Sequence, residues 1–306
     1  MSDTVIIANP AAAAGRVGRE RDSLHARIEA VLGPCRFVET RASRHAIDLA
    51  REAVAEGATR VLSLGGDGTH HEVVNGILAD ARGEAVTFGI LPAGTGGDLR
   101  RTLDVMTFDA ALEALKNRPL RKVDVGVAEF TDANGVAVTE RFVNLASCGM
   151  SGLVDRLVNA SSKRLGGMAS FLAGTLRAIA QYKPARVRIT ADGRDLGEHE
   201  ISLVVVGNGR YAGGGMHFCP DARIDDGALD LVVVPHAGPV RSAVRVPHLY
   251  KGTVAEVPGV VTAKVREVTI ELLARDAWLD LDGESPGGAP VTFRIEASRL
   301  LLAGAP

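Results

Sequence analysis

Two glycine-rich runs hold the residues best suited to chemistry in this chain. Leu62-Ser63-Leu64-Gly65-Gly66-Asp67-Gly68-Thr69-His70-His71-Glu72 carries a short apolar strand through a glycine turn into a helix with Val73, Val74, Ile77 and Leu78 on one face. Leu91-Pro92-Ala93-Gly94-Thr95-Gly96-Gly97-Asp98-Leu99 again follows a strand and precedes a helix. Glycine allows positive φ and lets the backbone approach a ligand closely. N–H groups at a helix start favour an anion. Two such loops at the carboxyl ends of different parallel strands converge on one crevice. The chemistry predicted is phosphate gripping, with Asp67 beside it to handle a metal or a proton. A third loop, Asn9-Pro10-Ala11-Ala12-Ala13-Ala14-Gly15-Arg16-Val17-Gly18-Arg19, adds small residues and two cations; alone, an ordinary βα connection explains it equally well. The chain has no G-x-x-x-x-G-K-[ST] motif and no G-x-G-x-x-G after its first strand. That argues against a P-loop enzyme and an ordinary dinucleotide fold.

Two later clusters could also act. Asp221, Asp225, Asp226 and Asp230 surround a turn. Carboxylates and backbone carbonyls suit a hard cation such as Mg2+, while an Asp-Gly hairpin with solvated charges is the simpler reading. In Leu279-Asp280-Leu281-Asp282-Gly283-Glu284, the period of two places Asp282 and Glu284 on one face. Glu284 is a candidate general base, or simply a polar strand end. His70 and His71 are neighbours on a helix and face different ways, so they read as structural or surface residues rather than a metal pair.

The elements that must position these groups fall into two rhythms. Up to residue 122, strand and helix signals alternate: strands near 5–8, 36–38, 61–64 and 87–91, helices near 24–32, 46–54 and 108–116. That is the pattern of a parallel α/β sheet. Beyond it, strands are expected over 123–130, 136–145, 186–190, 201–206, 229–234, 265–272, 278–282 and 291–295, with Asp192-Gly193 as a hairpin turn. Helices over 152–158 and 168–181 interrupt this mainly antiparallel half.

Composition sets outer bounds. The 306 residues, 46% hydrophobic and 24% charged, suit one large or two medium domains. A formal net charge of −2 gives no electrostatic case for nucleic acid. Cys35, Cys148 and Cys219 form neither a zinc pattern nor a disulfide framework, which favours a reducing cytoplasm. The start Met1-Ser2-Asp3 reads as lacking a secretory signal. No apolar run approaches the roughly 20 residues of a membrane span.

In order and spacing, the Asn9-Pro10 loop, the GGDGT run at 65–69, Asn75-Gly76, LPAGTG at 91–96, Asp225-Asp226-Gly227 and Asp282-Gly283-Glu284 resemble the catalytic domain of diacylglycerol-kinase-like lipid kinases. That family takes in bacterial diacylglycerol and YegS-type kinases, with sphingosine and ceramide kinases as relatives. The resemblance covers nearly the whole chain. It implies a Rossmann-like parallel α/β nucleotide domain (1–122) and a mainly antiparallel β-sandwich domain for the lipid (123–296). It also implies a last strand (297–306) returning to the first domain, and a site in the cleft between. ATP would touch Asn9, Thr40, the stretch Gly65, Gly66, Asp67, Gly68, Thr69, His70, His71 and Glu72, and Gly94, Thr95 and Gly96. A structural Mg2+ would sit at Asp226 with backbone oxygens of Arg223 and Ala228. Glu284 matches the family's proton acceptor, and Asp67 is the alternative base or metal carboxylate.

The implied reaction transfers the γ-phosphoryl group of ATP to a lipid hydroxyl. It implies a cytoplasmic protein in peripheral contact with the inner face of the membrane, with no nucleic acid partner. A homodimer through an exposed β edge is also expected. An NAD-kinase-like enzyme, which shares GGDGT, and a non-catalytic nucleotide or lipid binder are the alternatives. The run at 163–172 joins basic and apolar residues and is a candidate bilayer contact, with a helix packed in the core as the competing reading. Two departures stand out. Gly97 occupies the place of an Asn common in the family, removing a hydrogen bond worth about 0.5–1.5 kcal/mol. Alanines 11–14 replace a more polar loop. Both predict weakened or altered activity.

Overall fold

The computed structural model describes residues 3–94, 97–132, 134–154, 174, 177–178 and 181–306. They divide into two compact units, Met1–Asp124 with Ser298–Pro306, and Val125–Ala297.

The first unit is built on β1 (Thr4–Ala8), β2 (Arg36–Glu39), β3 (Arg60–Gly65) and β4 (Thr87–Pro92). The order is β2-β1-β3-β4 and every pairing is parallel. Leu301 and Leu302 continue the sheet in parallel beside Thr87 and Phe88. All six residues of β4 are buried, as expected of a strand covered on both faces, which reads as a continuous apolar run. The helices are α1 (Ala12–Arg19, interrupted by non-helical backbone at Ala13, Ala14 and Gly15), α2 (Arg21–Leu32), α3 (His45–Ala55), α4 (Asp67–Ile77), α5 (Leu99–Thr102) and α6 (Phe108–Asn117). α3 lies tightly on α4 because Gly76 has no side chain: a Cβ there would meet the carbonyl oxygen of Ile47 at 2.3 Å.

The second unit is β-rich. Its strands are β5 (Arg121–Asp132, which begins in the first unit), β6 (Ala137–Phe142), β7 (Leu145–Gly149), β8 (Ala185–Ala191), β9 (Arg194–Gly207), β10 (Tyr211–Ala212), β11 (Met216–His217), β12 (Leu229–Pro235), β13 (Val261–Val265), β14 (Glu267–Ala274), β15 (Trp278–Leu281) and β16 (Gly287–Leu302). An antiparallel ladder runs β13-β12-β9-β7-β15, and β8 joins β9 to β14. From Ile201 to Gly207, β9 is buried on both faces. Val204 and Val206 enter a core with Phe142, Ile270 and Phe293, while Leu203 and Val205 enter a second with Phe218, Val232 and Val254. Phe142 and Phe293 meet edge to face at 6.1 Å. The expected hairpin at Asp192-Gly193 joins β8 and β9 with φ of 47° and 75°.

Three expectations are revised. The strand expected over 136–145 is two strands, β6 and β7, because the amides of Val143, Asn144 and Leu145 turn to the carboxylate of Asp282. The strand expected over 265–272 is likewise divided, with the amides of Arg266 and Glu267 donating to Asp192. A helix, α7 (Gly238–Lys251), departs from the expectation: Pro247 in its interior breaks the helical pattern, while Pro239 falls in the first turn, where proline is tolerated. The helices expected over 152–158 and 168–181 lie largely outside the described residues. No helix among the described residues is long and apolar enough to cross a membrane. All three cysteines are buried free thiols.

Candidate functional site

The three loops at the carboxyl ends of β1, β3 and β4 touch one another. Asn9 donates from Nδ2 to Thr69 Oγ1 at 3.4 Å, tying the first loop to the GGDGT turn, and its Oδ1 accepts the amide of Ala11. Asp67 ties that turn to the third loop: Oδ2 accepts the amide of Asp98 at 2.7 Å and Oδ1 that of Leu99 at 3.2 Å. A Cβ on Gly94 would lie 3.9 Å from the Cα of Ala13, closing the triangle. Thr95 and Gly96 lie outside the described residues.

Each loop shows why these residue types are needed. Gly65 must lack a side chain because a Cβ would sit 2.4 Å from Thr69 Oγ1. Gly66 is the N-cap of α4, with open space where a Cβ would project and no side chain of its own to cap the helix. The start of α4 thus offers an open backbone surface suited to a phosphate. In the first loop Ala13, Ala14 and Gly15 are left-handed, with φ of 53°, 56° and 79°. For the two alanines this costs about 1–2 kcal/mol each, and strain of this kind gathers at functional sites. Arg19 holds the turn by donating to the carbonyl of Ala14 at 3.1 Å.

Several predicted contacts take a different form. His70 is buried, with Nδ1 2.5 Å from Ser63 Oγ and its amide donating to the carbonyl of Gly66. His71 is also buried, its Nε2 3.4 Å from the Asn75 amide. The His70 imidazole thereby ties α4 to β3, and that of His71 pairs with Asn75 one turn further along α4. Glu72 reaches across to accept the amides of Arg44 at 2.9 Å and Ala46 at 3.1 Å. It thereby fixes the start of α3 and the loop that follows Thr40, whose own amide donates to Ala8.

Arg100 was not singled out from the sequence. Its guanidinium donates to the carbonyls of Gly97, Gly94 and Met106 at 3.0, 3.3 and 2.7 Å, buckling the third loop. Burial, and then the charge of Arg101, pull it below its ordinary value, against Asp67 and Asp98. Gly97 matters sterically: a Cβ there would approach Asp67 Oδ1 to 3.3 Å, so glycine gives Asp67 room to reach the two amides.

In the second unit, Asp282 is a clamp. It takes three backbone amides, Val143 at 2.9 Å on Oδ2 and Asn144 and Leu145 at 3.1 and 2.9 Å on Oδ1. Its φ of 52° lies where Asp is among the tolerated residues. Asp280 Oδ1 accepts the amide of Gly283, and the backbones of Leu281 and Glu284 bond reciprocally at 2.7 and 3.0 Å. The result is a fixed turn with the Glu284 side chain exposed at its tip. Asn144 and Asn208, both buried, brace the same strand ends through the carbonyls of Tyr211 and Val143.

The expected metal position at Asp226 is already neutralised. Lys264 Nζ lies 2.8 Å from Asp226 Oδ2 and 2.9 Å from Asp230 Oδ2, and Asp226 Oδ1 accepts the amide of Ala228 at 3.2 Å. The Arg223 guanidinium pairs with Asp225 at 3.3 Å. Burial opposes the Lys264 charge, but the hydrogen bonds it donates to the two carboxylates hold the ammonium above its ordinary range. Burial pushes Asp230 up. A divalent ion would have to displace an ammonium shared by two carboxylates, so these residues do not fit the implied Mg2+.

Comparison with known proteins follows the same division. Residues 3–128 match the diacylglycerol kinase catalytic domain, and residues 144–304 match the YegS C-terminal NAD kinase beta sandwich-like domain. The chain belongs to the diacylglycerol kinase/YegS family. A Pseudomonas aeruginosa protein named "Probable lipid kinase YegS-like" is 32% identical over 269 residues, covering 84% of this chain and 82% of that protein. A Mycobacterium tuberculosis diacylglycerol kinase is 29% identical, covering 81% of this chain and 78% of its own. The crystal structure of a diacylglycerol kinase from Bacillus anthracis superposes with a TM-score of 0.77 at 26% identity, covering 98% of this chain and 96% of that one. Yeast NADH kinase shares the fold, with a TM-score of 0.52 at 10% identity.

Proposed function

We propose that this chain is an ATP-dependent lipid kinase that transfers the γ-phosphoryl group to a lipid hydroxyl. The observation that carries this reading is the meeting of three small-residue loops at the open N-terminus of α4. Such an arrangement suits a triphosphate, and the family's named relatives supply the lipid acceptor.

In the proposed step the lipid oxygen attacks the γ-phosphorus, the bond from that phosphorus to the β–γ bridging oxygen breaks, and ADP leaves. The hydroxyl proton passes to a carboxylate. Both oxygens of Asp67 are engaged by backbone amides, which suits positioning the two loops. Glu284 is exposed on a turn fixed by Asp282, which suits accepting a proton. Amides of the glycine loops stabilise the negative charge spread over the phosphoryl oxygens. No proton-transfer or bond-breaking step requires His70 or His71.

The test offers γ-labelled ATP, as its magnesium complex, to the pure protein with dispersed diacylglycerol, phosphatidylglycerol, a sphingoid base and NAD as separate acceptors. Label in a lipid and none in NAD is the expected result. Label in NAD alone, or tight ATP binding with every acceptor unlabelled, overturns the reading.

A further inference from the structure

Helix α7 is turned inside out for a helix on the surface of its unit. None of its residues is fully buried. Val240 is 77% exposed, Val244 70% and Tyr250 41%. With exposed Ala243 and Pro247 these residues recur at three- and four-residue steps and form one stripe. The opposite side holds the helix to its unit. Leu249 packs against the core around Phe218 and Val254. Arg245 donates to the carbonyls of Pro235 and Pro258 at 3.0 and 3.2 Å, and His248 Nδ1 lies 2.8 Å from Thr253 Oγ1. Ordinary surface helices present polar residues outward; here the outward stripe is apolar and rigidly held.

Its rim is cationic. From residue 231 to 255 the chain has no Asp or Glu, whereas Arg241, Arg245 and Lys251 all lie on α7. Three cations and no carboxylates give this stretch a local charge of +3 in a chain whose net charge is −2. Exposed Arg241 and Lys251 border the apolar stripe near its two ends.

We propose that this face of α7 docks on an anionic lipid surface, with Val240, Val244 and Tyr250 entering the interface and Arg241 and Lys251 meeting the headgroups. Apolar burial plus attraction to anionic lipid is how interfacial helices bind. The alternative of a second copy is disfavoured by the charge, since two such faces would oppose like with like. The inference deepens the lipid-kinase reading, because the acceptor's acyl chains keep it in a bilayer.

The test uses the full chain and sedimentation with vesicles of phosphatidylcholine alone or mixed with phosphatidylglycerol. The wild type is expected to sediment with the anionic vesicles and to be released by high salt. The double variant Val240→Asp, Val244→Asp should melt like the wild type and lose affinity on the order of tenfold or more. Activity separates the two ideas. The variant should phosphorylate a short-chain, dispersed acceptor at the wild-type rate and a vesicle-embedded one more slowly. Wild type that binds vesicles but phosphorylates neither acceptor refutes the kinase reading and leaves docking standing. Equal vesicle binding by variant and wild type overturns docking. So does a wild-type dimer that the variant abolishes while vesicle binding persists, which would make this face a protein interface.

Discussion

Asp282 and Glu284 stand two residues apart on one turn, and their substitutions should give opposite phenotypes. Asp282→Ala removes the acceptor of three hydrogen bonds donated by backbone amides, of 2.9, 3.1 and 2.9 Å. Bonds to a charged group are worth about 1.5–3 kcal/mol each. The site is only partly buried, so water recovers part of this, and the net loss should be roughly 3–5 kcal/mol. Alanine at a φ of 52° adds strain. At about 2–4 °C per kcal/mol for a unit of this size, Tm should fall by roughly 10 °C. Asp282→Asn, which tolerates the same φ and keeps one oxygen, should fall between. Glu284 is exposed, so Glu284→Gln should shift stability by no more than about 0.5 kcal/mol. Its turnover should drop by about 10²–10⁴, the usual worth of a general base. Differential scanning calorimetry and labelled-lipid turnover on the three variants decide the matter. Wild-type melting in Asp282→Ala would refute the clamp. Turnover within about twofold of wild type in Glu284→Gln would refute the base, against the effect expected of general catalysis.

Other consequences are equally direct. Gly97→Asn puts a Cβ 3.3 Å from Asp67 Oδ1, so it should loosen the bonds to Asp98 and Leu99 and weaken ATP binding by calorimetry; tighter binding would contradict the packing. Lys264 has a folded pKa above its ordinary 10.5, so the folded state holds the proton more tightly. The stability this gives is fully present below pH 10.5 and is lost as pH rises through the higher folded value. Wild type should therefore lose more Tm across that window than Lys264→Met does. Removing divalent ions with EDTA should leave the wild-type Tm unchanged, whereas Mg2+ should stabilise Lys264→Met, whose Asp226 and Asp230 no longer share a cation.

What could be read from the sequence was whatever is local. β1, β3 and β4 announce themselves as apolar runs ending in small-residue loops, and the Asp192-Gly193 hairpin follows from two residues with positive φ. The groups that fix the candidate site are not local. Glu72 grips amides 26 and 28 positions away, and Asp282 grips amides 137 to 139 positions away. No spacing rule connects such partners. Arg100 acts through three carbonyls, and any residue supplies a carbonyl. Lys264 lies 34 and 38 positions from the carboxylates it neutralises, so the acidic turn alone invited a metal. α7 escaped because its interior Pro247 suppresses the helical signal and its apolar stripe faces outward.

The central claim is that the loops joined by Asp67 deliver the γ-phosphoryl group of ATP to a lipid. The most direct test incubates wild type and Asp67→Asn with a total lipid extract and either α-labelled or γ-labelled ATP, then counts label in the chloroform phase. Wild type should place γ-label, and no α-label, in a lipid, and Asp67→Asn should lose most of that transfer while melting cooperatively. An unlabelled chloroform phase with wild type, or undiminished transfer by Asp67→Asn, would contradict it.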